Sequence, residues 1–187
     1  LGLHCALGKN FLGWNISKKL KVVLFSLEMN HVEMKFFVET MAPGYSQAEI
    51  EALERNFQFI TLSEPLPMDS TEGRRFFESI LDEYKPDIVI FDSMGKLTNE
   101  ELKERKVKQL DSYFAAIRSK YGCALWFIHH NRKANGDNKK PKELSDIYGS
   151  QYVTANATSV LGLWKDNPED SALEVIYLKL RFAPPGK

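Results

Sequence analysis

The chain has 187 residues, 43% of them hydrophobic and 12% aromatic, which is enough apolar material to bury a sizeable core and excludes a disordered or fibrous chain. Its 25 Lys plus Arg balance its 25 Asp plus Glu, so it is no wholesale basic nucleic-acid binder and any such contact must come from a local patch. No apolar run approaches the ~18 residues of a membrane span, and no charged and then apolar leader opens the chain, so a soluble, cytoplasmic protein without membrane attachment is expected. Cys5 and Cys123 sit within LHCAL and CALWF, which reads as two buried free thiols in a reducing compartment. The chain opens on Leu1 rather than Met and is apolar at once, so missing N-terminal residues are expected.

In chain order, the first apolar run predicts a strand over 3–7, followed by a short helix over 10–19. KVVLFS predicts a strand over 21–26, and a helix pair over 30–42 and 46–56 comes next, broken by Pro43-Gly44. A strand over 57–62 leads to a helix over 70–84, opened by Ser70-Thr71-Glu72-Gly73, with Phe76, Phe77, Ile80 and Leu81 on one face. DIVIFD predicts a strand over 87–92. The longest helix spans 99–121, with Leu110, Tyr113, Phe114 and Ile117 as its stripe and Gly122 as its stop. The remaining strands fall over 123–129, 159–164 and 173–181, the last two joined by a turn-rich hairpin connection over 165–170. Strands alternating with helices predict one α/β domain over 1–187, a mostly parallel central sheet covered on both faces, with antiparallel strands at one edge.

In open α/β sheets, ligands lie beyond the carboxyl ends of the strands. Three predicted strands end there in polar residues: Ser26-Leu27-Glu28, Asp92-Ser93 and His129-His130. Asp92 is suited to hold Mg²⁺ through its water shell beside nucleotide phosphates, or else to cap the turn through Ser93 and Gly95. Glu28 stands at the same end of the sheet, suited to deprotonate an attacking water, or simply solvated at a helix start. A histidine ending the third strand reads better as a hydrogen-bonding sensor than as a metal ligand, since no partner spacing accompanies it; a histidine satisfied in the core is the plain alternative.

Gly8-Lys9-Asn10, read as following a strand and opening a helix, occupies the place of a phosphate-binding Gly-Lys-Ser/Thr. The match is partial, because Leu3 stands where the first glycine belongs and Asn10 replaces the hydroxyl residue. A degenerate loop and a chain lacking several loop residues between Leu7 and Gly8 both account for this, and the second is favoured. Beyond the third strand, the stretch 131–143 carries Arg132, Lys133, Lys139, Lys140 and Lys142, either a solvated face or a basic loop that contacts a phosphate backbone. Lys179 and Arg181, two apart on the last strand, project to one side as surface residues or as cations offered to a neighbour's nucleotide.

Taken together, these segments resemble the RecA-like motor ATPases, especially DnaB-type hexameric replicative helicases and plasmid RepA-like ATPases. KVVLFSLEMN is similar to the strand that carries that family's catalytic Glu; DIVIFDS resembles the Walker B strand. WFIHHNRK takes the place of the sensor strand, whose usual Gln falls on His129, while SDIYGSQYVTANATSVLGLW and LKLRFAPPG resemble the next motif and the Lys-x-Arg finger strand. The resemblance implies a RecA-like P-loop ATPase core that binds ATP with Mg²⁺ between subunits of a homo-oligomeric ring, a hexamer, and moves single-stranded DNA. It implies Lys9 on the phosphates with Gly8, Asn10 and Ser93 around the nucleotide, Asp92 and Asn10 on Mg²⁺, Glu28 as base, His129 as sensor, and Lys179 and Arg181 reaching the next subunit's ATP. A non-translocating ATPase similar to KaiC-type proteins, and a pseudo-ATPase that only binds partners, are the other functions these residues allow.

Overall fold

The structure, a computed structural model, describes residues 1–62, 67–98, 104–131, 140–148, 152–167, 169 and 171–181. The chain divides into two compact units, residues 1–101 with 112–128, and residues 102–111 with 129–187.

The first unit opens with helix α1 (Gly2–Leu7), then strand β1 (Val22–Ser26), helices α2 (His31–Met41) and α3 (Gln47–Asn56), strand β2 (Phe57–Thr61), helix α4 (Thr71–Tyr84) and strand β3 (Ile88–Asp92). Helix α5 (Glu104–Tyr121) precedes strand β4 (Ala124–Phe127). The four strands pair in parallel in the order β2-β1-β3-β4. Nearly every residue of β1 and β3 is apolar and buried, as central strands covered on both faces require.

Strand alternation sends successive residues to opposite faces. On one face Val22, Phe57, Ile88 and Ile90 pack with Cys5 and Ala6 of α1. On the other, Phe25 stacks on Phe91 and Phe91 on Phe127, each pair with centroids 5.3 Å apart. Phe77 of α4 and Phe114 of α5 close over this row, at 5.4 and 5.6 Å from Phe91. Phe76, placed by the periodicity on the same face as Phe77, is 38% exposed instead.

Helix starts obey the expected chemistry. Asn30 accepts from the backbone of Val32 and Glu33 while Glu33 accepts from the Asn30 N–H, a capping box that opens α2 directly after Glu28. Ser70 caps α4 by accepting from Gly73.

Two expectations are corrected. Residues 3–7 form the helix α1 rather than a strand: LGLHCAL has no β-branched residue, and Leu and Ala are among the best helix formers. Residues 10–19 form no helix. Leu12 and Gly13 adopt φ of 47° and 82°, closing a turn in which Phe11 and Trp14 exchange backbone hydrogen bonds of 3.1 and 2.8 Å.

In the second unit, helix α6 (Tyr152–Ala155) leads to strands β5 (Ser159–Trp164) and β6 (Glu174–Leu180), which pair antiparallel. The antiparallel strands predicted for a sheet edge thus form a separate two-stranded sheet. No helix among the described residues is long and apolar enough to cross a membrane.

Candidate functional site

The carboxyl ends of β1 and β3 are neighbours, with Ser26 in register with Asp92 on one side and Thr61 on the other. By alternation all three side chains leave the sheet on the face of Val22 and Ile88. The Leu27 N–H donates to the Asp92 carbonyl at 2.6 Å, carrying the register one step past the strands. Beyond it, the Ser93 hydroxyl donates to Glu28 Oε1 at 2.5 Å. The Asp92–Ser93 peptide is cis, and the Met94 N–H donates to the Ile128 carbonyl at 2.9 Å, which ties the turn after β3 to the residue just past β4. Ser93 is 2% exposed and Glu28 is exposed, so a fixed buried hydroxyl holds a carboxylate that faces solvent.

Ser26 is 1% exposed and its hydroxyl has no hydrogen-bond partner among the described residues. An orphaned buried hydroxyl normally costs about 1–3 kcal/mol, so its position beside Asp92 suits a polar ligand there. Among the described residues no three His, Cys, Asp or Glu side chains converge as a metal cluster. Mg²⁺ beside phosphates commonly keeps several waters and needs only one or two carboxylates from a protein. The set Ser26, Glu28 and Asp92 fits such a hydrated cation and an attacking water.

Gly8, Lys9 and Asn10 are engaged by the chain's own groups in this structure. Gly8 has φ 68° and ψ 33° and ends α1, its N–H bonded to the Cys5 carbonyl and the Lys9 N–H to the His4 carbonyl. A helix C-terminus carries partial negative charge, opposite to the helix N-terminus that binds phosphate. The Lys9 ammonium pairs with Glu49 of α3, and Asn10 accepts from the Ile16 N–H through its side chain and receives His4 Nδ1 on its carbonyl. The expected strand-to-helix context is absent because residues 3–7 are helical and 10–19 are not. The sequence GK alone does not distinguish a phosphate loop from a helix C-cap.

In the second unit, His129 Nε2 lies 2.7 Å from the Tyr148 carbonyl, which only accepts, so this nitrogen carries the proton. Nδ1 is buried without a partner among the described residues. Burial lowers the His129 pKa below its ordinary value, the carbonyl opposing and His130 adding to the shift, so the ring is neutral near pH 7 and Nδ1 presents a lone pair. A phosphate oxygen needs a donor, which this nitrogen becomes only when the ring is protonated. The Tyr148 N–H also donates to the His130 carbonyl at 3.0 Å, and Asn131 bridges Ile147, so the SDIY segment is zipped onto the residues after β4.

Lys179 donates to the Thr154 and Ala155 carbonyls at 2.9 and 2.8 Å, and Arg181 to the Ala155 carbonyl at 3.3 Å. The two side chains share one side of β6, as their spacing predicts, and both are held on the C-terminal carbonyls of α6. Lys140 pairs with Glu174 at 2.5 Å, while the backbone N–H of Lys142 donates to Asp146 at 2.7 Å. Arg132, Lys133 and Lys139 lie outside the described residues.

A family model described as an AAA domain matches residues 1–136, nearly three quarters of the chain. The chain belongs to this family of P-loop ATPases. The match takes in α1 through β4, and with them Glu28, Asp92 and Ser93. No curated protein matches the chain as a whole. The four-stranded parallel sheet, its flanking helices and the separate antiparallel pair are consistent with a RecA-like core for this AAA domain. Family membership implies nucleotide and Mg²⁺ as ligands and ATP hydrolysis as the general reaction. The Ser26 hydroxyl and the Ser93 to Glu28 bond had escaped sequence reading, because a serine at a strand end carries no signal of which partner its hydroxyl finds.

Proposed function

We propose that this AAA domain is the motor of an ATP-driven helicase or translocase that moves single-stranded DNA, working as a homo-oligomeric ring. The observation that carries the hydrolytic part is the pairing of Glu28 with Ser93 beside Asp92 at adjacent strand ends. Mg²⁺ bound with ATP would supply neutralisation of the negative charge that develops on the phosphate oxygens during hydrolysis. The chain's own contribution is positional: Asp92 would hold the metal, and Glu28 would take the proton of the attacking water. Ser26 would add a polar contact beside Asp92. In this reading Lys179 and Arg181 leave the α6 carbonyls to reach the nucleotide of a neighbouring subunit, and His129 senses phosphate in its protonated form. The order of motifs from the SLEM strand to the Lys-x-Arg strand supports a translocating motor, as do the basic residues of 131–143.

A non-translocating ATPase is the second reading. It is favoured by the engagement of Lys140 with Glu174, and of Lys179 and Arg181 with the chain's own carbonyls. Steady-state ATP hydrolysis of the full-length protein, with and without single-stranded DNA, separates the two. Stimulation of several-fold or more supports the motor; hydrolysis indifferent to DNA supports the second reading, and none at ring-forming concentration leaves a binding module. Arg181→Ala is expected to abolish hydrolysis while nucleotide binding stays within a few-fold, and equal loss of both argues against a finger acting on the neighbour.

A further inference from the structure

We infer that Ser93 is a positioning residue for hydrolysis: it acts through Glu28 and does not bind the nucleotide. The inference rests on the reading of Glu28 as the base. A serine hydroxyl has one proton to donate, and the Ser93 proton lies on Glu28 Oε1 at 2.5 Å, so it is not available to a phosphate oxygen. The geometry also fixes the direction of control. Ser93 is 2% exposed and sits at the turn between β3 and the 3-10 segment Met94–Lys96, where its carbonyl accepts from the Lys96 N–H at 3.1 Å and the next residue's N–H is tied to Ile128. Glu28 is exposed on the short stretch between β1 and α2, whose cap at Asn30 fixes the backbone. An exposed glutamate samples several rotamers; a charge-assisted bond from an immobile hydroxyl selects one of them. The bond spans 65 residues of sequence and joins the two strand ends that the family reading treats as separate motifs. Turnover therefore depends on Ser93 through the orientation of Glu28, a dependence of the kind in which small misplacement costs about 10- to 100-fold.

The test measures kcat, KM for ATP and the affinity for a slowly hydrolysed ATP analogue in the full-length protein, for Glu28→Gln, Ser93→Ala, Ser93→Cys and Ser93→Thr. Thermal melts confirm folding. The expected result is loss of turnover in Glu28→Gln. Ser93→Ala and the near-isosteric Ser93→Cys should lose on the order of 10-fold in kcat with analogue affinity within two-fold, and Ser93→Thr should recover most of it because the hydroxyl returns. If Ser93→Ala and Ser93→Cys keep full kcat while Glu28→Gln is dead, the positioning role is overturned and the base assignment stands. If either serine variant loses analogue affinity in step with kcat, Ser93 binds nucleotide directly and the inference fails. Full turnover by Glu28→Gln removes the base assignment and the inference with it.

Discussion

On the face of the four-stranded sheet under α4 and α5, the strands end in a plate of rings: Phe25, Phe91 and Phe127 stack side by side, with Phe77 and Phe114 across them. On the face under α1, strands β1, β2 and β3 begin with Val22, Phe57 and Ile88 but end in Ser26, Thr61 and Asp92. One residue of offset along each strand separates the two outcomes, because alternate side chains go to opposite faces. The rings thus lie directly behind the polar strand ends, and their packing fixes the backbone from which Ser26 and Asp92 project. Rigidity and chemistry are supplied by opposite faces of the same strand termini.

The largest expected effect comes from breaking the plate. Phe91 is fully buried and touches Phe25, Phe77, Phe114 and Phe127. Phe91→Ala should cost roughly 3–5 kcal/mol and lower Tm by on the order of 10 °C, read by calorimetry or a dye melt. Where the variant still folds, hydrolysis should fall further than nucleotide binding, because the Asp92 backbone loses its support. A loss of only about 1 kcal/mol would mean that the rings do not brace the strand ends.

A smaller effect is expected at the rim of the plate, where Tyr113 packs edge-on to Phe77 and donates to Glu78 at 3.4 Å. Burial first, then the Glu78 carboxylate, push the Tyr113 pKa well above its ordinary value of 10, with the Arg74 guanidinium over the ring opposing. A pKa raised in the folded state contributes stability that is complete below about 10 and is lost as pH rises through the raised value. Tm should therefore fall from about pH 10 upward, and Tyr113→Phe should make that fall shallower. Tyr84 and Tyr121 are shifted the same way, so the slope should lessen rather than vanish. An unchanged alkaline limb would show that the hydroxyl is already relieved of its burial.

The parallel sheet and its strand ends were legible because buried central strands are written as unbroken apolar runs, VVLF and IVIF, and because the residues just past those runs are polar. The runs also placed Glu28, Asp92 and Ser93 at one end of the sheet, although which hydroxyl meets which carboxylate depends on a contact 65 residues apart that no local pattern encodes. Residues 3–7 were misread because a five-residue apolar run has no period to distinguish strand from helix, and composition is then the better guide. The reading of Gly8-Lys9-Asn10 as a phosphate loop assumed a strand before it and a helix after it, and the structure has a helix before it and a turn after it. In the second unit, the side-by-side projection of Lys179 and Arg181 was legible from their spacing, whereas their landing on α6 carbonyls was not.

The smallest expected effect tests the pairing of Lys9 with Glu49. Lys9 meets Glu49, and Glu49 also accepts from the Ser46 N–H and hydroxyl at 2.8 Å each as the third residue of α3. The Lys9 side chain is 52% exposed, so solvent screens the pair and Lys9→Ala should cost under about 1 kcal/mol, with α3 still capped by Ser46. Affinity for a slowly hydrolysed ATP analogue should stay within two-fold. A lysine cradling phosphates behaves differently, because losing a charge-assisted contact to phosphate costs affinity far out of proportion to stability. A drop of on the order of 100-fold in affinity with Tm unchanged would therefore put Lys9 on the nucleotide after all, and would require the α1 C-terminus to unwind into a loop when nucleotide binds.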